Sequence, residues 1–292
     1  MEKREVWALM QSLSHYLMSQ YETPMENAAA SVGITPSECF AVILPAHMFK
    51  PDPISAERLR KRSPYNSLSY YQKPLLSVYA AGYLDMVPEG GYRLNDKGHH
   101  AYIEVMKIAY QTLEEIKSFP QDKCKELKTI LGKLVQACIL STDQPNKWSL
   151  LHSRRLDPGH EVTAIISIDQ YISDLAAYRD DAHTASWSGY IINPLAWDIL
   201  GLLWRGLTST IEEIILKTNK RGWTEQETAN AIEELNSKGW IEGFSLSQKG
   251  ISIREKAERM TDQYFFSPWD RLSNEDYQLL CQLFIQFQKI TQ

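Results

Sequence analysis

Two stretches of this chain repeat the same punctuation, and they limit the fold more than any other feature. In the first, an apolar helical run ends at Val78-Tyr79-Ala80-Ala81 and Gly82 follows as a left-handed helix stop. Leu84-Asp85-Met86-Val87 then alternates like a strand, Glu89-Gly90-Gly91 reads as a tight turn, and Tyr92-Arg93-Leu94 as the returning strand. Asn95-Asp96-Lys97-Gly98 opens another helix. The second stretch, Gly239 to Gly250, gives the same outline with a shorter hairpin. Helix, glycine stop, small hairpin, helix is the outline of a winged helix-turn-helix.

The flanking elements recur in the same order. Thr35-Pro36 aligns with Asn193-Pro194, each a capping residue before a first-turn proline. Ile54 aligns with Ile211, Tyr65 with Trp223, Gly82 with Gly239 and Gly98 with Gly250, at offsets between 152 and 158. A duplicated unit accounts for this order. The expected fold is mainly α with small β-wings (α+β): two tandem winged-helix domains forming an intrachain pseudo-dimer. The expected boundaries are 1–141, a linker at 142–160 rich in Asp, Pro, Asn, Ser and Gly, and 161–292. Helical periodicity places helices near 5–20, 101–117, 126–140, 168–187 and 274–287 in a shared layer. Leu68, Leu75, Leu76 and Val78 are expected on the buried side of the helix ending at Ala81, and Pro74 should kink that helix or delay its start.

An apolar fraction of 43% supports a packed core. No apolar run has the length of a membrane span, and the first residues lack the apolar segment of a secretory signal, so a cytoplasmic protein without a membrane partner is expected. Cys39, Cys124, Cys138 and Cys281 are scattered without a CxxC pair, which fits reduced thiols and neither disulfide frame nor zinc site. The net charge is −5, unevenly spread: residues 1–120 carry 12 Lys+Arg against 13 Asp+Glu, and residues 161–292 carry 12 against 19. The overall charge argues against a protein that coats nucleic acid, and if one half touches DNA, charge favours the first.

The candidate DNA-binding residues are Arg58, Arg60, Lys61 and Arg62 on a short basic helix, Asn66, Ser67, Ser69, Tyr70, Gln72 and Lys73 at the start of the next, and Arg93 in the wing. Lys and Arg suit phosphates, Asn, Gln and Arg suit base edges, and the N-terminal part of the second helix enters the major groove in this fold. The second recognition-type helix opens Thr224-Glu225-Gln226-Glu227, which repels phosphates. The second half is instead rich in aromatic residues, and Tyr178, His183, Trp187, Trp197 and Trp204 are candidates for a ligand pocket, against the alternative that they fill the core. Asp180 and His183 share a helix face, but no further metal-ligand spacing accompanies them. No P-loop, GxGxxG or GxSxG is present, so no cofactor and no enzymatic activity are expected.

The block from Pro53 to Gly98 resembles the winged helix-turn-helix of MarR-type transcriptional regulators. The whole chain is similar to the uncharacterised SalK-like bacterial group through Tyr178-Arg179-Asp180-Asp181-Ala182-His183, Trp197 with Leu203-Trp204-Arg205-Gly206, Gly239-Trp240 and Ser267-Pro268-Trp269. The SalK-like resemblance implies a tandem winged-helix fold and carries no agreed activity; the MarR-type resemblance implies a regulator that binds double-stranded DNA, with a small aromatic ligand as a further candidate partner, as a monomer acting as a pseudo-dimer or as a homodimer. Two other readings stay open: an interaction scaffold that kept the fold without DNA binding, and a small-molecule binder or enzyme centred on Asp180 and His183.

Overall fold

The computed structural model describes residues 1–291 and is mainly helical, with two short antiparallel hairpins. The longest helix, α1 (Lys3–Ser31), starts at a capping box between Glu2 and Glu5 and buries Val6, Met10, Leu13 and Leu17 along one stripe. It runs well past the expected 5–20, straight through Pro24. Next come α2 (Pro36–Glu38), a π-helical turn at Cys39–Ile43, and α3 (Leu44–Phe49). Thr35 caps α2 with Glu38 in a capping box, and Pro36 occupies the first helical position.

The first helix-turn-helix follows as α4 (Ala56–Arg62) and α5 (Leu68–Ala80), capped by Ser55 and Ser67. Pro74 lies inside α5, which nevertheless begins at Leu68; the proline does not delay the helix but removes the amide that would bond the Tyr70 carbonyl. Tyr71, Leu75 and Val78 take the inward positions, so Leu76, expected inside, points outward at 56% exposure. The hairpin pairs β1 (Leu84–Met86) with β2 (Tyr92–Leu94), and Ile54 adds an antiparallel bridge to β2 by bonding Tyr92 in both directions. Helices α6 (Asp96–Glu115) and α7 (Gln121–Leu140) complete this half, broken at Phe119-Pro120 as expected.

The stretch expected as a linker is folded. Its helix α8 (Trp148–Ser153) is fastened to α9 (Ala164–Trp187) by two buried carboxylates. Asp181 accepts from the Ser149 and Leu150 amides at 2.8 and 2.9 Å, and Asp174 accepts from Ser153 Oγ at 2.7 Å and Arg154 Nη1 at 2.6 Å. The Asp, Asn and Ser residues there serve as caps and hydrogen-bond partners, which accounts for their linker-like composition.

The second half repeats the order: α10 (Pro194–Trp204), α11 (Ile211–Asn219), α12 (Glu225–Ser237), a hairpin of β3 (Ile241–Glu242) with β4 (Ser245–Leu246), and α13 (Gln248–Phe266); α14 (Asn274–Thr291) follows. The punctuation matches in detail. Gly82 and Gly239 sit at φ +75° and +65°, and the next amide reaches back to Val78 in one half and Leu235 in the other. A Cβ on Gly98 would meet the Tyr83 carbonyl oxygen at 2.2 Å, and one on Gly250 the Trp240 carbonyl oxygen at 2.0 Å. Both glycines let a helix close directly onto its hairpin backbone. The alignment of Ile54 with Ile211 needs correction: the caps Ser55 and Thr210 correspond, which pairs buried Leu59 with buried Ile214 and leaves Ile54 to the first hairpin alone.

Three cores result. One lies within each helix-turn-helix and hairpin, and a larger one joins α1, α7, α9, α14 and the end of α13. That shared core draws on both halves of the chain, so neither half carries its own complete set of buried partners. No single helix among the described residues is long and apolar enough to cross a membrane, and all four cysteines are free and buried.

Candidate functional site

The two helix-turn-helix motifs meet at their turns. Ahead of α12, the segment Arg221-Gly222-Trp223 packs on the start of α5. The Ser67 amide donates to the Arg221 carbonyl at 2.9 Å, and the Ser67 and Ser69 hydroxyls donate to the Gly222 carbonyl at 2.8 and 2.9 Å. Trp223 Nε1 donates to the Tyr65 carbonyl at 2.8 Å, so the turn before α12 is bonded to the turn before α5. Gly222 is at φ +78°, and a Cβ there would lie 2.6 Å from Ser67 Oγ. This contact has no room for a side chain.

The contact changes the reading of the candidate DNA residues. Ser67 is buried and Ser69 and Tyr70 border Gly222, so the start of α5 is spent on the second half. Asn66 Nδ2 donates to the Tyr71 hydroxyl at 3.0 Å. Arg58 donates to the Pro53 carbonyl, Lys61 stands 5.0 Å from the Trp148 ring centre, Arg62 pairs with Asp180 at 2.9 Å and Arg93 with Glu89 at 2.8 Å. Gln72 and Lys73 are exposed and Arg60 is partly so, and among the described residues no carboxylate pairs with Arg60 or Lys73. These candidates therefore do not form one free basic face. On α12 the exposed groups Glu225, Glu227 and Glu233 form an acidic face.

Behind the turn contact lies a cavity of about 320 Å³ between the two motifs and α9. Tyr65, His183, Trp197 and Trp204 give it aromatic walls; Arg179, Arg205, Arg221 and Arg254 give it guanidinium groups, and Asp180, Asp198 and Glu258 carboxylates. It gathers side chains from α9, α10 and α13 with the two turns. Of the ligand-pocket candidates, His183, Trp197 and Trp204 line this cavity. Trp187 stacks behind Trp197 at 5.7 Å, and Tyr178 is fully buried in the shared core with its hydroxyl near the Tyr264 carbonyl at 3.4 Å.

The polar groups of this cavity are incompletely paired. Arg254, 5% exposed, stacks its guanidinium 4.5 Å from the Trp197 ring and donates through Nη2 to Glu258 at 2.7 Å, while its Nε has no acceptor in the chain. Arg221 Nη1 stands 3.2 Å from Asp198 Oδ2 without hydrogen-bond alignment, so that buried oxygen also lacks a donor. Arg179 Nε and the Tyr65 hydroxyl are unpartnered as well; the Trp187 indole faces that hydroxyl without hydrogen-bond geometry. Buried polar groups without partners are rare in folded chains, and a group of them around one cavity leaves donors and acceptors there for water or a bound molecule to satisfy.

Burial, then repulsion from Arg254, Arg179 and Arg205, pushes the His183 imidazole down to about 3. The Trp197 indole donates toward its Nε2 at 3.5 Å, so the proton of the neutral ring sits on Nδ1 facing Thr261 Oγ1 at 3.3 Å. Such a ring is a poor base, and Asp180 beside it is held by Arg62. Burial raises the Asp198 carboxyl, opposed by Arg221, Arg205 and Arg254, and lowers the Arg254 guanidinium against the pull of Glu258. With His183 neutral, four arginines against three carboxylates leave the lining with one net positive charge. A planar organic anion suits guanidinium donors and aromatic walls. Sequence reasoning missed Tyr65, Arg205, Arg221, Arg254, Asp198 and Glu258, since no local spacing links residues this far apart. Among the described residues, no group of His, Cys, Asp and Glu is placed to hold a metal ion.

A helix-turn-helix family model matches residues 175–291, from the second part of α9 through the whole second motif to α14. The chain thus contains a helix-turn-helix region, a structural class whose common work is DNA binding. No curated protein and no solved structure gives a significant match.

Proposed function

We propose that this chain is a DNA-binding transcriptional regulator of winged helix-turn-helix type, resembling MarR-type regulators and built as a pseudo-dimer within one chain. Its DNA face is controlled by a small organic anion held in the arginine-lined cavity. The observation that carries this reading is the double use of one turn: Arg221 lines the cavity, while its own carbonyl and that of Gly222 hold the start of α5. A ligand that draws in the Arg221 side chain shifts the segment on which the reading end of α5 rests. In the docked arrangement Ser67 is buried and the Ser67 and Ser69 hydroxyls are taken up by the Gly222 carbonyl; released, they would join the already exposed Tyr70, Gln72 and Lys73 beside Arg60.

The test is fluorescence anisotropy with a random-sequence DNA pool at two salt concentrations. Wild type is compared with Arg60→Ala/Lys73→Ala, which removes the two unpaired cations without touching the turn contact. DNA binding led by these groups weakens steeply with salt, and the double variant lowers the log–log slope by up to about 2, one unit or slightly less per lost phosphate contact. A benzoate-type anion that changes DNA affinity and quenches tryptophan fluorescence supports the control element. Absence of DNA binding at low salt, in both wild type and a variant with the turn contact opened, would sink the regulator reading. That outcome favours a second reading, a ligand-binding scaffold that does not touch DNA, which the acidic α12 face and the Arg62–Asp180 and Arg93–Glu89 pairs support.

A further inference from the structure

A second cavity, of about 340 Å³, opens between α1, the Cys39–Phe49 segment, α6 and α9, and shares no residue with the arginine-lined one. Its chemistry is the opposite. The walls are the thioethers of Met18, Met25 and Met106 and the rings of Phe40, Tyr102 and Tyr110. The charged groups lining it are Asp169 and Glu22, with no Lys, Arg or His. The adjoining recess, which shares Tyr102, Met106, Tyr110 and Leu156, does contain Lys107 and Arg155, but neither lines this cavity.

Asp169 is the unusual group. It sits on α9, partly buried among apolar neighbours, and its side-chain partner is the Tyr21 hydroxyl at 3.3 Å, a long hydrogen bond. The fully buried aspartates of α9 have strong partners: Arg154 and Ser153 for Asp174, two backbone amides for Asp181. Among the described residues no cation pairs with Asp169. Carboxylates taken out of water are ordinarily paired, because an unpaired charge in an apolar setting is costly. This one borders a space of ligand size, lined by aromatic faces that attract cations and by methionines that adapt to irregular shapes. Met18 and Phe40, 42% and 40% exposed, give access from solvent.

From this charge complementarity we infer that the cavity binds a lipophilic organic cation, an alkyl or aryl ammonium compound, with Asp169 as counter-ion and the tyrosine and phenylalanine rings as its walls. A small inorganic cation needs several converging oxygens, and among the described residues no group of His, Cys, Asp and Glu is placed to hold one. A neutral hydrocarbon would leave Asp169 unpaired. An anion is repelled by both carboxylates.

The test uses protein labelled with ¹³C at the methionine methyl groups, with Met18, Met25 and Met106 assigned by single Met→Leu variants. Benzyltrimethylammonium is titrated in, with neutral benzyl alcohol and anionic phenylacetate as comparators. The expected result is saturable shifts at the three methionines with the cation alone. Asp169→Asn, which keeps the Tyr21 hydrogen bond and the shape, weakens the cation roughly tenfold or more and leaves the dispersed spectrum of a folded protein. Glu22→Gln, at the periphery, has a smaller effect. The inference is overturned by no shift at millimolar cation, by equal affinity for benzyl alcohol, or by an Asp169→Asn affinity equal to wild type.

Discussion

Replacing Asp169 by Asn should make the protein more stable, and the gain should depend on pH in a defined way. Burial raises the Asp169 carboxyl from 3.8 to about 6, while the Tyr21 hydroxyl opposes the shift. In the unfolded chain the group ionises near its ordinary value, so between these two pH values the folded state holds a proton that the unfolded state has released. Stability contributed by this group therefore falls as pH rises from 3.8 to about 6, and is flat above. A rise of that size corresponds to about 3 kcal/mol, an upper figure because water entering past Met18 screens the charge; a loss of about 1–3 kcal/mol is expected. Asn has no charge to bury and still accepts from Tyr21. Denaturant unfolding of both proteins from pH 4 to 7.5 measures the difference. It should be near zero at pH 4, grow across the window and stay constant above pH 6.5. Taking the difference removes the carboxylates common to both proteins, including Asp174, Asp181 and Asp198, which burial also raises. A pH-independent gap, or a destabilised variant, would refute the account of Asp169 as an acid enclosed without a cation.

Two further substitutions probe the turn contact and the arginine-lined cavity. Gly222→Ala meets both a left-handed backbone at φ +78° and the Ser67 hydroxyl at 2.6 Å, so it should cost about 2–3 kcal/mol or release the start of α5; hydrogen exchange at the Ser67 and Tyr70 amides distinguishes the two, and unchanged stability with unchanged exchange would mean that the contact does not hold α5. His183, pushed down to about 3, should stay neutral on ¹⁵N-resolved imidazole spectra down to pH 4, with its proton on Nδ1; titration near pH 6 would mean that the surrounding arginines do not face it as described.

Local punctuation carried most of the legible part of the fold. Thr35 and Asn193 cap helices where the sequence places them, and Gly82 and Gly239 end helices in the left-handed conformation. These are short-range effects, in which a side-chain oxygen or a missing Cβ decides the conformation of a few residues, so a single sequence reveals them. What escaped notice depends on distant partners. The linker-like stretch is folded because Asp174 and Asp181 hold it from α9, more than twenty residues away for Asp181. Helix α1 extends past the reach of its early apolar stripe because Met25 and Ala29 pack into the core of the first motif, a second partner for one helix. Of the pocket candidates, the tryptophans drew attention by their number, while the arginines that give the cavity its charge are scattered over α9, α13 and two turns.

The same long-range logic explains why the first motif is a poor free DNA reader in the docked state although its local sequence suits one. Ser67, Ser69 and Asn66 have the chemistry for base edges, but the two serine hydroxyls donate to the Gly222 carbonyl of a neighbouring turn and the Asn66 amide donates to the Tyr71 hydroxyl. In a symmetric dimer the equivalent surfaces are identical and separate, and each reads DNA. Here the two surfaces differ: aligned on their caps Ser67 and Thr224, the second presents Glu225 and Glu227 where the first presents Leu68 and Tyr70, and an acidic helix start repels phosphate but leaves its preceding turn free to bind the first. Under the proposed function the acidic second motif is the half that controls and the first is the half whose helix start it holds. Control would act through the few hydrogen bonds between them, each worth about 1 kcal/mol, and a ligand would shift that balance by the difference in its affinity for the two arrangements.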